Sequence, residues 1–111
     1  MGGESLKGHL DLLVLAVLAE EPMHGYAVIE ALRERSQAVF DLPEGTVYPV
    51  LHRLERAGLL ASDWQKESGR RRRTYRLTGP GRGAFEAERA AWNRFGAAVT
   101  GVVRGPQWNP I

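Results

Sequence analysis

The sequence predicts a mainly α fold with a small β-hairpin: three helices, the hairpin, then one long helix. Two observations carry this. Apolar residues recur at the spacing of a single buried helical face in four separate stretches. Between the third and fourth stretches, period-two alternation flanks Glu67-Ser68-Gly69, a sequence with turn chemistry.

The first helix is expected from about Leu6 to Leu18, with Ser5 as its N-cap. Leu6, Leu10, Leu13, Val14, Val17 and Leu18 make its stripe, and Leu12 and Leu15 carry apolar character around the cylinder. A helix apolar on nearly all sides demands burial on nearly all sides. A small domain rarely supplies that alone, so a partner chain is expected over Leu12 and Leu15. Pro22 punctuates EEPMHG, and YAVIEALRER follows as a second helix with Tyr26, Ile29 and Leu32 facing inward. The connector SQAVFDLP closes at Pro43.

The third helix lies in EGTVYPVLHRLERAGLL, residues 44–60, where Val47, Leu51, Leu54 and Gly58 form one stripe and Gly58 supplies the C-terminal stop. Capping by Thr46 would put Pro49 in the first turn, where its missing N–H costs nothing. A start near Glu44 would instead make Pro49 bend the helix; the early position is favoured. Leu60, Ser62 and Trp64 then alternate, as do Arg73, Tyr75 and Leu77, giving the two strands of the hairpin. Gly79-Pro80-Gly81 separates off a last helix from about Arg82 to Val103, about 33 Å long. Phe85, Trp92 and Val99 repeat every seven residues there, with Phe95 and Val102 in a second row that Glu88 interrupts. The turn-rich end, residues 105–111, is expected to be a flexible tail.

A chain of 111 residues with 43% hydrophobic and 25% charged content is one small domain of ordinary globular material. It has no cysteine, which excludes disulfides and thiolate metal sites and fits a reducing cytosol. Leu10 to Ala19, the most apolar run, is too short to span a bilayer, and no signal-peptide pattern opens the chain. A soluble cytoplasmic protein without a membrane partner is expected.

The net charge of +2 hides an asymmetry. Residues 1–65 hold five Lys/Arg and ten Asp/Glu, a balance of −5, whereas residues 66–111 hold ten and three, a balance of +7. Such a basic end suits an anionic partner, and thirteen arginines against two lysines suit phosphate and base-edge recognition. A GC-rich genome would also favour arginine.

Three helices followed by a hairpin is the winged helix-turn-helix plan, in which the third helix enters the major groove and the wing flanks it. That plan explains the outer face of the third helix. Thr46 and Tyr48 can donate to phosphate near its N-terminus, while His52, Arg53 and Arg56 are candidates for base edges or neighbouring phosphates. The wing carries Arg70, Arg71, Arg72 and Arg73, four adjacent cations that repel one another unless an anion lies between them. Alternation sends Arg71 and Arg73 to one face and Arg70, Arg72 and Arg76 to the other, so not all can touch one groove. His9, His24 and His52 lie on separate elements without metal-ligand spacing, and no catalytic motif occurs. Neither enzyme activity, a metal nor a cofactor is expected. A winged helix also serves as a protein-interaction module without DNA, which is the competing reading.

HGYAVIEAL at 24–32, EGTVYPVLHRLERAGLL at 44–60 and GRRRRTYRLTGPG at 69–81 together resemble PadR-family transcriptional regulators. The resemblance covers most of residues 6–81. It implies a dimeric winged helix-turn-helix repressor of a palindromic promoter site in double-stranded DNA, with Thr46, Tyr48 and the basic wing tip on the DNA-contacting surface. It also implies a C-terminal helix that packs across the partner subunit, against its first helix. The chain ends soon after one helix and is similar to the shorter subgroup, some of whose members bind aromatic compounds at the dimer centre. Residues 5–78 are thus expected to form the winged helix-turn-helix domain and 79–104 a dimerisation helix. Trp92, with Phe95, would lie at the dimer centre and hold a small aromatic effector. Leu12, Leu15, Phe85, Val99 and Val102 would line the dimer interface.

Overall fold

The computed structural model describes residues 3–106, with side chains at 9–66 and 68–106. The first helix already begins at Gly3, so Ser5 lies inside it and is not its N-cap; the tail from residue 107 lies outside the described residues. Four helices, α1 (Gly3–Glu20), α2 (Gly25–Arg35), α3 (Glu44–Arg56) and α4 (Gly79–Arg104), surround a small antiparallel sheet. Its strands are β1 (Met23–His24), β2 (Leu60–Glu67) and β3 (Arg70–Leu77), in the order β1-β3-β2.

The hairpin register pairs Glu67 with Arg70 and Leu60 with Leu77. Only Ser68 and Gly69 lie between the strands, with φ of 52° and 79°. Two consecutive positive φ values are what a two-residue turn needs to match strand twist, and glycine adopts one of them without strain. The two-residue β1 pairs Met23 with Tyr75 and His24 with Thr74. No period-two signal fits in two residues, so the sequence shows this stretch only as a break.

The core gathers Leu10, Val14, Leu15, Val17 and Leu18 from α1 with Val28 and Leu32, Val47, Val50, Leu51 and Leu54, and Leu60, Tyr75 and Leu77. Leu15 is 0% exposed, so it is a core residue of its own chain and not an interface residue. The chain itself packs α2, α3, α4 and β3 around α1, supplying much of the cover that a partner was expected to give. On α2 the buried face is Gly25, Val28 and Leu32, whereas Tyr26 is 54% exposed and Ile29 half-buried. The inward face is thus rotated from the expected one.

Helix α3 starts at Glu44, with Pro43 as N-cap, and continues through Pro49. The proline therefore sits beyond the first turn, where it removes one helical hydrogen bond, and Thr46 is inside the helix. Its N–H bonds the Pro43 carbonyl at 3.0 Å. The helix closes with Leu59 N–H on Leu54 O (2.9 Å) and Gly58 N–H on Glu55 O (3.0 Å), Gly58 taking φ of 81°. This is the double-bonded glycine stop that satisfies two end carbonyls.

Gly79-Pro80-Gly81 is the first turn of α4 and not a separator. Thr78 caps it, its side chain accepting from Gly81 N–H at 3.0 Å while its hydroxyl donates to Gly58 O at 2.6 Å. Pro80 falls where a helix needs no N–H donor. A Cβ on Gly81 would lie 1.9 Å from Leu59 O, so only glycine lets α4 approach the α3–β2 junction this closely. Farther on, every residue from Glu86 to Phe95 is exposed, and the chain measures 59 Å along one axis against 28 and 25 Å along the others.

Gly81→Ala is expected to destabilise the protein by about 3 kcal/mol or more, because backbone must move to admit the methyl. Gly79→Ala, with nothing near its Cβ position, should be neutral within about 0.5 kcal/mol. Urea unfolding of both variants checks the contrast; equal midpoints would show that the close approach does not matter.

Candidate nucleic-acid interface

The site is built where α2, α3 and the wing converge. Tyr48 leaves the flank of α3 and lays its ring over the start of α2: a Cβ on Gly25 would lie 2.6 Å from its Cε1 and 2.7 Å from its hydroxyl oxygen. Burial raises the Tyr48 phenol above its usual pKa, with Glu44 and then Tyr26 adding to the rise, so the hydroxyl remains a donor at neutral pH. Beside it opens a recess of about 360 Å³, lined by His24, Tyr48 and Trp64 together with Arg70, Arg71, Arg72 and Arg73. All four wing arginines thus border one opening, and among the described residues no acidic side chain lines it.

The arginines differ in what already holds them. Arg73 donates through Nε to Ser62 Oγ (2.7 Å) and through Nη2 to Glu55 (3.2 Å), and lies over the Trp64 and Tyr75 rings. It is an internal brace between β3 and α3, which corrects its expected role as a free phosphate contact. Arg71 stacks over Trp64 at 4.8 Å, a contact that holds the guanidinium flat without neutralising it. Arg72 reaches His24, with Nη1 2.9 Å from Nε2. Among the described residues no carboxylate pairs with Arg70, Arg71 or Arg72.

On α3 itself, His52 and Arg56 are exposed on the side away from the core, and the His52 ring lies 6.3 Å from that of Tyr48. His52, Arg56, Glu55 and Arg73 line a second recess of about 320 Å³ between α3 and the wing. Arg53 is not free to read bases. Its guanidinium donates to both oxygens of Asp11 on α1, at 3.0 Å from Nη1 to Oδ2, and this hydrogen bonding raises its pKa further. Thr46 is half-buried in the first turn.

Around α4 a third recess, about 210 Å³, is lined by His9, Leu12, Glu88, Ala91 and Trp92. The His9 ring meets Trp92 edge-on at 4.9 Å, and Phe95 lies 6.0 Å from Trp92. Desolvation raises the Glu88 carboxyl, Asp11 adds to the rise and His9 opposes it. Phe85 packs half-buried against its own core, with Arg89 over its ring, and so belongs to the protomer before any interface. Trp92 (44% exposed), Phe95 (58%), Val99 and Val102 (83%) form the exposed apolar row.

Sequence reasoning missed His24, Gly25 and Trp64. A histidine cap is outside the usual capping residues, and Gly25 matters only through Tyr48, which lies far along the chain. The alternation of Trp64 with Ser62 and Leu60 placed it on a strand face without showing that arginines stack on it.

This arrangement can hold polyanionic backbone in one recess and present His52 and Arg56 beside it. Among the described residues there is no cluster that could hold a metal ion, and no helix long and apolar enough to cross a membrane. The model of the transcriptional regulator PadR-like family matches residues 14–87. Transcriptional regulator Rv3488 of Mycobacterium tuberculosis is 38% identical over 90 residues, 81% of each chain. A PadR family transcriptional regulator from Eggerthella lenta superimposes with a TM-score of 0.78 at 33% identity, covering 90% of this chain and 86% of that one. A PadR-like regulator from Bacillus cereus does so with a TM-score of 0.82 at 25% identity, covering 93% and 99%. Tyr48 over Gly25, the arginine wing and the helix order thus sit in a chain that belongs to the PadR-like family of transcriptional regulators.

Proposed function

We propose that this transcriptional regulator is a homodimeric repressor that binds a palindromic site in double-stranded DNA. The observation that carries the reading is the recess joining Tyr48 to Arg70–Arg73, with no acidic side chain in its lining among the described residues. Phosphate held there would position the protein, while His52 and Arg56 on the exposed side of α3 would meet base edges. Two such helices related by a two-fold axis read half-sites about 34 Å apart, one turn of duplex. An interaction module without DNA would have little use for three wing arginines that have no carboxylate partner among the described residues.

Selecting bound sequences from random duplex, with salt dependence measured alongside, tests the whole reading. Arg71→Ala with Arg72→Ala should weaken binding to every sequence and flatten the salt slope by about one to two units. His52→Ala should instead change which base is preferred. An unchanged slope in the double variant would remove the wing from the interface.

The exposed row on α4 supports the dimer. Trp92, Phe95, Val99 and Val102 are too many large apolar residues on one small surface to be left in water. Phe95→Glu with Val102→Glu touches no core residue, so the protein should stay folded, become monomeric in sedimentation and lose operator binding by at least tenfold. A dimer of unchanged affinity would overturn this assignment.

The recess at Trp92 supports a small aromatic effector whose binding releases DNA. Small neighbours Ala91 and Gly96 leave room beside the ring, and among the described residues a Cβ added at Gly96 would meet no side chain and no backbone beyond its own stretch of helix within 4 Å. Planar aromatic compounds should quench Trp92 fluorescence at concentrations of about 1–100 µM, in the ordinary range for such sites, once Trp64 and Trp108 are replaced by phenylalanine. Trp92→Ala should abolish the response. If a panel of such compounds leaves emission and operator affinity unchanged, Trp92 is interface packing alone.

A further inference from the structure

His24 stands at the meeting point of three elements. Its backbone pairs with Thr74 in the sheet, its Nδ1 accepts from Ala27 N–H at 3.2 Å and so caps α2, and its Nε2 lies 2.9 Å from Arg72 Nη1. Both ring nitrogens therefore face donors. A neutral imidazole has one N–H and one acceptor, and a guanidinium has donors only. If Nδ1 accepts from Ala27, Nε2 carries hydrogen and meets Arg72 donor to donor. If Nε2 accepts from Arg72, the cap N–H of Ala27 faces another N–H. Protonating the ring removes both acceptors. In every state the site is short of one acceptor.

Among the described residues no further acceptor meets this pair, so one from outside the fold would complete it. No acidic side chain among the described residues lines the recess that His24 and Arg72 share, and the Tyr48 ring over the adjacent Gly25 brings another donor to the same place. The surrounding arginines select an anionic oxygen over a neutral one. We propose that His24 is a phosphate-binding residue: its Nε2–H and Arg72 donate together to one non-bridging oxygen of a DNA phosphodiester at the foot of the wing, while Nδ1 keeps α2 capped. The inference rests on the DNA-binding reading and adds to it a neutral donor. Arg72 brings a positive charge to the duplex and displaces a counterion, whereas His24 as a neutral imidazole displaces none. The two residues therefore differ in salt dependence although they share one oxygen.

The test uses the full chain and two duplexes, the selected operator and a random sequence. His24→Asn keeps a side-chain acceptor for the cap and is too short to reach the phosphate. It should bind both duplexes about tenfold more weakly, the loss expected for one hydrogen bond to a charged group. Its salt slope and melting temperature should match the unaltered protein, while Arg72→Ala should lower the slope by about one. Imidazole ¹⁵N spectra supply an independent readout: in the complex, Nδ1 of His24 should be the nitrogen without hydrogen. Operator affinity of His24→Asn equal to that of the unaltered protein, a loss confined to one of the two duplexes, or an unprotonated Nε2 in the complex would each overturn the proposal. Failure of the unaltered protein to bind either duplex would instead overturn the DNA reading beneath it.

Discussion

The ring of Tyr48 lies where Gly25 has no side chain, and the placement of α3 against α2 depends on that contact. Any Cβ at residue 25 would push the ring away. Because Gly25 follows His24 directly, the same contact fixes the end of β1, and β1 pairs with β3 at Thr74 and Tyr75. Tyr75 is itself 1% exposed in the core. The helix pair, the sheet and the wing are thereby referred to one point, and the recess opens there. A tyrosine used in this way serves packing through its ring and recognition through its hydroxyl.

Charge pairing within the chain separates scaffold from interface. Arg53 with Asp11, Arg73 with Glu55 and Arg76 with Asp63 each join two elements, and these guanidiniums hold α3 to α1 or brace the sheet. Arg70, Arg71 and Arg72 sit at the hairpin tip, beyond the reach of those acids. Their mutual repulsion is a cost in the free protein that an anion would relieve. The stacking of Arg71 on Trp64 keeps one of them ordered meanwhile, so less side-chain entropy remains to be lost on binding.

Periodicity alone made the four helices and the hairpin legible, because each has a long apolar face or a strict alternation with a turn between. What stayed hidden depends on distant partners. The strand β1 exists only through its pairing with β3. Arg53 looks like a reader on the helix wheel, yet its partner Asp11 is 42 residues away. Leu15 looks surplus to the stripe of α1, yet the packing of its own chain leaves it 0% exposed. Pro49 and Gly79-Pro80-Gly81 carry breaker chemistry, but Pro43 capping α3 and Thr78 capping α4 set the actual starts. The wing tip was legible as a charge run, while which of its arginines meet a carboxylate among the described residues was not.

Helix α4 joins the proposed dimer contact to the DNA-facing elements through a joint with little freedom. Its first turn is held by Thr78, whose hydroxyl bonds Gly58 O and whose N–H bonds Leu59 O at 3.1 Å. Gly81 then presses against the Leu59 carbonyl. Gly58 and Leu59 close α3 and lead into β2, so the start of α4 is fastened to the end of the proposed recognition helix and to the base of the wing. A close-packed joint of this kind transmits displacement instead of absorbing it. If two copies meet along Trp92, Phe95, Val99 and Val102, the angle at which they cross sets the separation and tilt of the two α3 helices. A guest wedged beside Trp92 would change that angle, and the change would reach both half-sites. Half-site spacing tolerates little error, since the duplex repeats only once per turn. Under the proposed regulation by a small molecule, the Gly81–Leu59 contact would carry the displacement without a separate signalling element.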